Sequence, residues 1–327
     1  MENNVLISAK GLKKYFPISS FLGGKKKYIR AVDDIDLEIY KGETFGLVGE
    51  SGCGKSTLGK TLIRMYEPSA GKIYYKGEDI TDRKLNQIKS VQKSMQIIFQ
   101  DPYSSLNPFW NVEEILSEPL KNLKLQKSER YEKIKLILNK VGMSEDDLIK
   151  FPYEFSGGQR QRIGIARALL VNPEFIMCDE PIAALDVSIQ AQVVNLLQDL
   201  QKEFGLTYLF TAHDLSMVRY ISNRIGVMYL GSLVEIANSK SLFKKPLHPY
   251  TKALLSAVPS PDLLKKNIKE KVKISGEVSQ VFADSNACRF APRCIYKTKI
   301  CEKECPKLRE IEGGHRVACH NAESINS

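Results

Sequence analysis

No uninterrupted apolar run in this sequence is long enough to cross a bilayer. The most apolar stretch, "RIGVMYLGSLVEIA" (224–237), is short and is broken by glycines and by Glu235. The N-terminal "MENNVLISAKGLKKYF" lacks the succession of basic, apolar and small residues that makes a secretory signal. Internal repeats are absent as well. Although Lys and Arg (48) outnumber Asp and Glu (38) for a net charge of +10, the only dense basic run is "GGKKKY" (23–28), beside two glycines. These absences exclude a membrane-spanning chain and give no footing for a nucleic-acid partner. A cytoplasmic protein is expected, and the positive balance also suits an anionic membrane surface. What is present is globular: 327 residues, 43% apolar and 26% charged, enough for one large domain with an appendage.

The segment "ETFGLVGESGCGKSTLGKTLIRM" holds the first chemistry. Thr44 to Val48 reads as a buried strand, Gly49 through Gly54 as a turn, and the residues through Met65 have helical period. Within it Gly49–Ser56 spells G-x-x-x-x-G-K-S in the strand–loop–helix context this pattern requires. Glycines let the backbone curl until successive N–H groups face phosphate oxygens, and the helix adds its positive end. The expected nucleotide contacts are Gly49, Glu50, Ser51, Gly52, Cys53, Gly54, Lys55, Ser56 and Thr57. Lys55 is expected to reach the β- and γ-phosphates and the Ser56 hydroxyl to ligate Mg²⁺. Cys53, at a helix N-terminus beside Lys55, is expected to have a lowered pKa, to be alkylated readily, and to be protected by MgATP.

Next comes "PEFIMCDEP", a buried strand (Phe175 to Cys178) ending in two acids. An acid at the C-terminal end of a strand in an open α/β sheet lies where ligands bind. Asp179 is expected to hold Mg²⁺ and Glu180 to polarise the attacking water. Between these motifs, "FSGGQRQRIGIARALL" reads as a helix capped by Ser156, with Gly157 and Gly158 turning before it and offering a second anion site.

Ser156-Gly157-Gly158-Gln159, preceded by Phe155, resembles the signature loop of ATP-binding cassette (ABC) ATPases. In that family the loop binds the γ-phosphate of ATP held by a facing subunit. The resemblance implies further roles. Gln100 in "IIFQDPYSSLNP" matches the glutamine loop, which senses Mg²⁺ and the γ-phosphate. Asp186 in "EPIAALD" matches the D-loop, with Ala183 where the family commonly carries Ser. His213 in "LFTAHDL" matches the switch histidine. Phe16, or else Tyr15, in "LKKYFP" stacks on adenine. The implied fold is an α/β P-loop NTPase cassette over 1–240, with an antiparallel β portion, a helical arm at about 101–165, and an extension at 241–327.

The extension narrows the branch. "LFKKPLHPYTKALLSAVPSPD", marked by His248-Pro249-Tyr250-Thr251, is similar to the C-terminal region of oligopeptide and dipeptide importer ATPases. The insertion "PISSFLGGKKKYIR" resembles the second of that system's two paired ATPases. The implied function is ATP hydrolysis powering peptide import at the cytoplasmic face of the cell membrane. The implied partners are a paralogous ATPase, two transmembrane permeases and, indirectly, an extracytoplasmic solute-binding protein. The alternatives are the same role for a nickel chelate or oligosaccharide, and a soluble ABC ATPase acting on nucleic acid or ribosomes.

Finally, "CRFAPRCIYKTKICEKECP" (288–306) packs four cysteines, and Cys319 follows. A reducing compartment leaves little room for disulfides, so a metal site is expected. Spacing leaves zinc and iron–sulfur open: only Cys301 and Cys305 form a tight pair, with His315 and His320 as possible partners. The resemblance implies a [4Fe–4S] cluster on Cys288, Cys294, Cys301 and Cys319, with Cys305 spare.

Overall fold

The computed structural model describes residues 4–18, 27–121, 123, 125–257 and 286–326. Most of the basic run at 23–28, and the end of the stretch "LFKKPLHPYTKALLSAVPSPD" (242–262), lie outside the described residues. The chain divides into two compact units.

The first unit comprises Asn4, Tyr40–Glu43 and Asp82–Thr211. Its strands Met95–Ile98, Phe175–Asp179 and Thr207–Ala212 pair in parallel, with Ile98 opposite Cys178 and Asp179 opposite Thr211. Phe175–Asp179 and Thr207–Ala212 are buried at every residue. This is why they read as continuous apolar runs rather than alternating ones. Between Met95–Ile98 and Phe175–Asp179 the regular elements among the described residues are all helical, chiefly Val112–Ser117, Lys127–Lys140 and Gly157–Leu169. Helix Val187–Phe204 then carries the chain to Thr207–Ala212, closing with Gly205 in the left-handed conformation.

The second unit comprises Val5–Ile39, Thr44–Thr81 and Ala212–Ser327. One four-stranded sheet orders its strands Lys27–Tyr40, Val5–Ile18, Ala70–Tyr75 and Glu78–Asp79, the last three pairing antiparallel. Elsewhere Thr44–Val48 pairs in parallel with Arg224–Tyr229, which pairs antiparallel with Ser232–Asn238. The tail then contributes two strands of its own. His315–Val317 adds antiparallel to Ser232–Asn238, with Glu235 opposite Val317, and Arg309–Glu312 adds beyond it. The sequence reading held no strands there, because three or four residues of mixed polarity show no period-two pattern.

One buried carboxylate fastens this tail. Glu235, fully buried, accepts the backbone N–H groups of Leu247 (2.7 Å) and His248 (2.9 Å) and meets His315 Nε2 at 2.6 Å. His248 Nδ1 in turn accepts the Tyr250 N–H at 3.1 Å and caps helix Pro249–Ser256. Burial pushes the His248 imidazole down to about 4, so it serves as a neutral acceptor.

Candidate functional site

In the second unit, strand Thr44–Val48 delivers the chain to the loop Gly49–Gly54, and helix Lys55–Leu62 follows. That helix is shorter than the periodicity implied, since Arg64 turns left-handed at φ 59°. Gly54 has φ 107°, and a Cβ there would lie 2.0 Å from the Ala31 carbonyl oxygen, so no other residue fits. The loop is braced by backbone hydrogen bonds from Cys53 N to Glu50 O (3.2 Å) and from Gly231 N to Cys53 O (2.8 Å). Lys55 is buried, and its ammonium lies 2.9 Å from the Gly49 carbonyl and 3.3 Å from that of Glu50. A cation already aimed along the loop is placed to meet phosphate oxygens.

Cys53 departs from expectation. It is only 4% exposed, and burial raises its pKa, outweighing the nearby Lys55. A helix N-terminus favours a thiolate only where the sulfur keeps solvent, and this one does not. Brief thiol labelling followed by mass mapping is therefore expected to find Cys53 slow to react both with and without MgATP. Rapid labelling that nucleotide suppresses would restore the reactive reading.

Tyr15 and Phe16 are both half-buried. The Tyr15 hydroxyl donates to Asp33, and burial together with this bond pushes its pKa up to about 12. The Phe16 ring packs edge-on to Tyr66 at 5.7 Å, with the Lys14 ammonium 5.0 Å from its centre. His213 follows strand Thr207–Ala212 and is exposed.

In the first unit, the structure brings Gln100, Asp179, Glu180 and Thr211 together. The Asp179 carboxylate is buried, and Thr211 Oγ1 lies 3.3 Å from it. That same hydroxyl accepts the Glu180 N–H at 2.9 Å. Gln100 Nε2 donates to Glu180 Oε2 at 3.0 Å. Glu180 also has φ 45°, a left-handed conformation that side-chain-bearing residues enter at a cost of about 1–3 kcal/mol. Such strain persists where surrounding bonds over-determine it, and here the Thr211 and Gln100 contacts do so.

Ser156 caps helix Gly157–Leu169. Its Oγ accepts Gln159 N at 3.3 Å, while Gln159 Oε1 accepts Ser156 N at 2.9 Å. The two glycines are thus the first helical residues, not a turn before the helix, because the reciprocal cap starts the helix at Gly157. Gly158 is required sterically: a Cβ would lie 2.5 Å from Ile189 Cγ2. Asp186 precedes helix Val187–Phe204, exposed and not capping it with its side chain. The turn from Ala183 to Asp186 is held by Gln190 Nε2, which donates to the carbonyls of Ile182 (3.1 Å) and Leu185 (3.0 Å).

The tail cysteines are all free thiols. Among the described residues, no group of three or more His, Cys, Asp or Glu side chains is set to hold a metal ion. Both histidines that a zinc reading would recruit bond elsewhere, His315 to Glu235 and His320 to the Glu304 carbonyl. Beside burial, Cys305 and Cys301 raise the Cys288 thiol, Cys301 raises that of Cys294, and Cys294 and Cys301 raise that of Cys319. Burial pushes the Cys288 thiol up to about 12 and that of Cys319 to about 11. The backbone closes this segment, Cys288 N donating to Cys301 O at 2.9 Å.

Sequence reasoning missed the tail residues that reach the phosphate loop. The Tyr250 hydroxyl accepts the Glu50 N–H at 2.9 Å, and Arg293 grips the Glu50 carboxylate. Tyr250 was visible only as a marker residue and Arg293 not at all. A lone carboxylate in an apolar strand, Glu235, was a signal that polar groups cover this strand.

The ABC transporter family matches residues 32–183, and the family "Oligopeptide/dipeptide transporter, C-terminal region" matches 234–301. The putative oligopeptide transport ATP-binding protein YkfD of Bacillus subtilis is 50% identical over 324 residues, covering 98% of this chain and 97% of that protein. The oligopeptide transport ATP-binding protein OppF of the same organism is 49% identical, covering 97% of each chain. The dipeptide transport ATP-binding protein DppF of Haemophilus influenzae is 44% identical, covering 98% of each. Among solved structures, cbiO1 of Clostridium perfringens, part of the transporter complex cbiONQ, matches with TM-score 0.64 at 28% identity, over 74% of this chain and 91% of that one. The dimeric ABC transporter cassette MJ0796 matches with TM-score 0.64 at 27% identity, over 72% and 99%.

Proposed function

Since the chain belongs to the ABC transporter ATP-binding proteins, in their oligopeptide and dipeptide branch, we propose that it hydrolyses ATP to power peptide import. The observation that carries the peptide reading is the tail: an intact phosphate loop is joined, in one chain, to a match with the oligopeptide/dipeptide C-terminal region.

The residues divide the work by their chemistry. Backbone N–H groups of the loop Gly49–Thr57, apart from that of Glu50, which the Tyr250 hydroxyl takes, bind the phosphates together with the Lys55 ammonium, and Phe16 stacks on adenine. Asp179, Ser56 and Gln100 offer the carboxylate, hydroxyl and amide oxygens that suit Mg²⁺, and the buried carboxylate of Asp179 is the anchoring donor. When bound, the ion neutralises charge on the phosphate oxygens. Glu180 polarises and deprotonates the attacking water, oriented by Gln100. His213 contacts the γ-phosphate.

Ser156–Gln159 and Asp186 serve the facing subunit's nucleotide, which calls for a second, paralogous cassette. Two permeases complete the assembly at the cytoplasmic membrane face. Large apolar side chains exposed between the glutamine loop and the signature, Tyr103, Phe109, Ile149 and Tyr153, support a membrane-protein partner. No helix among the described residues is long and apolar enough to cross a membrane itself. Deleting this chain in cells is expected to abolish uptake of labelled peptides, and Lys55→Ala should fail to restore it. Uptake that persists without the chain would refute the peptide assignment.

For the tail we keep the four-thiolate reading, with Cys288, Cys294, Cys301 and Cys319 as ligands of a [4Fe–4S] cluster and Cys305 spare. Its support is the donor set. Four thiols lie within residues 288–319, and Cys301 acts electrostatically on the other three, as Cys305 does on Cys288. Anaerobically purified protein is expected to be brown and to hold about four irons per chain. Serine at any of those four positions should bleach it and serine at Cys305 should not, while a colourless protein with one zinc overturns the reading.

A further inference from the structure

Glu50 sets an electrostatic problem. It is a carboxylate inside the loop whose backbone receives phosphate, and a like charge so close weakens the binding of a polyanion. The structure answers this from 243 residues away. Arg293 takes the Glu50 carboxylate in a two-pronged grip, Nη1 to Oε2 at 2.9 Å and Nη2 to Oε1 at 3.1 Å. Only 10% of the Arg293 side chain is exposed, against 27% for Glu50. A guanidinium fork on a carboxylate, largely out of water, is the geometry in which an ion pair neutralises most completely.

The grip is not isolated. Tyr229 lies under the Arg293 cation at 5.8 Å, and its hydroxyl is 3.4 Å from Nη1. Tyr250, whose hydroxyl accepts the Glu50 N–H, packs on Tyr229 at 4.7 Å, and Phe290 closes the group at 5.3 Å from Tyr229 and 5.6 Å from Tyr250. Three of these five side chains, Tyr250, Phe290 and Arg293, come from the tail. Arg289, four residues before Arg293, makes the parallel contact, pairing with Asp33 and donating to the Leu230 carbonyl. Each arginine adjoins a cysteine, Arg289 following Cys288 and Arg293 preceding Cys294. The fold of the cysteine segment therefore sets where both arginines point.

We propose that Arg293 is a positioning residue for ATP: by neutralising and fixing Glu50 it tunes the phosphate loop, so that the C-terminal extension sets nucleotide affinity. This rests on the ATPase reading above. Arg293 does not touch ATP and acts through Glu50 alone.

Equilibrium binding of MgATP to the full chain tests it, with steady-state turnover alongside. Arg293→Ala is expected to weaken binding about tenfold, raising KM and leaving kcat near that of the parent. Arg293→Gln keeps the stem and an amide donor while removing the charge. It should show the same loss, and it decides the matter if the alanine variant does not fold. Adding Glu50→Gln to either variant is expected to recover most of the affinity, because no carboxylate then needs neutralising; a merely structural arginine would not be rescued in this way. Folded Arg293 variants that bind MgATP like the parent, or that Glu50→Gln does not rescue, overturn the proposal. A parent chain that binds no MgATP at all would instead sink the ATPase reading.

Discussion

Replacing Glu180 by Gln should leave MgATP binding near its original strength and slow hydrolysis by about 10²–10⁴-fold. The amide has the same shape, can keep a hydrogen bond with Gln100, and does not alter the backbone bond from Glu180 N to Thr211 Oγ1. The left-handed backbone at φ 45° is inherited unchanged. What disappears is an oxygen basic enough to take the water's proton. Binding and single-turnover hydrolysis, measured with the partner ATPase present, separate the two effects. With its partner the variant should accumulate nucleotide-bound, and turnover close to the parent's would remove Glu180 from the role of base. Glu180→Ala is a poorer test, because it also leaves Gln100 without this acceptor.

Glu235→Ala is expected to loosen the tail more than any other single change, costing about 3–5 kcal/mol. Its carboxylate is the acceptor for the Leu247 and His248 N–H groups and the partner of His315, all in a place water does not reach. Truncation strands two backbone donors together with a ring nitrogen, and each buried orphan carries its own desolvation cost. Glu235→Gln, which keeps one acceptor oxygen, should lose less. Thermal unfolding gives the size of the effect. Limited proteolysis gives its location, with cleavage in the Arg309–Val317 strands expected to rise first. An alanine variant as stable as the parent would show that the network contributes nothing net.

Much of the site could be read directly from sequence because its chemistry is local. A phosphate loop needs glycines, a lysine and a hydroxyl at fixed spacing between one strand and one helix, and Gly49–Thr57 supplies them consecutively. The same holds for Asp179 and Glu180 at the end of a buried strand, and for Ser156 with Gln159, whose capping bonds span three residues. Wherever backbone geometry and side-chain type act over a few residues, the pattern and the fold carry the same information.

Burial and long-range pairing were decided only in three dimensions. Cys53 has the neighbours of an activated thiol in sequence, yet desolvation wins because the loop folds it inward, to 4% exposure. The strands His315–Val317 and Arg309–Glu312 are too short to declare themselves, and they exist because Ser232–Asn238 offers an edge to complete. The pairing of Arg293 with Glu50 joins residues with no sequence relation, and nothing about an arginine between a proline and a cysteine announces a carboxylate in the phosphate loop. The sequence determined that this chain binds and cleaves nucleotide and which branch of transporters it resembles, because those properties reside in short contiguous motifs. Only the tertiary structure decided that the tail completes a sheet and reaches the phosphate loop, because those contacts depend on which surfaces lose water together.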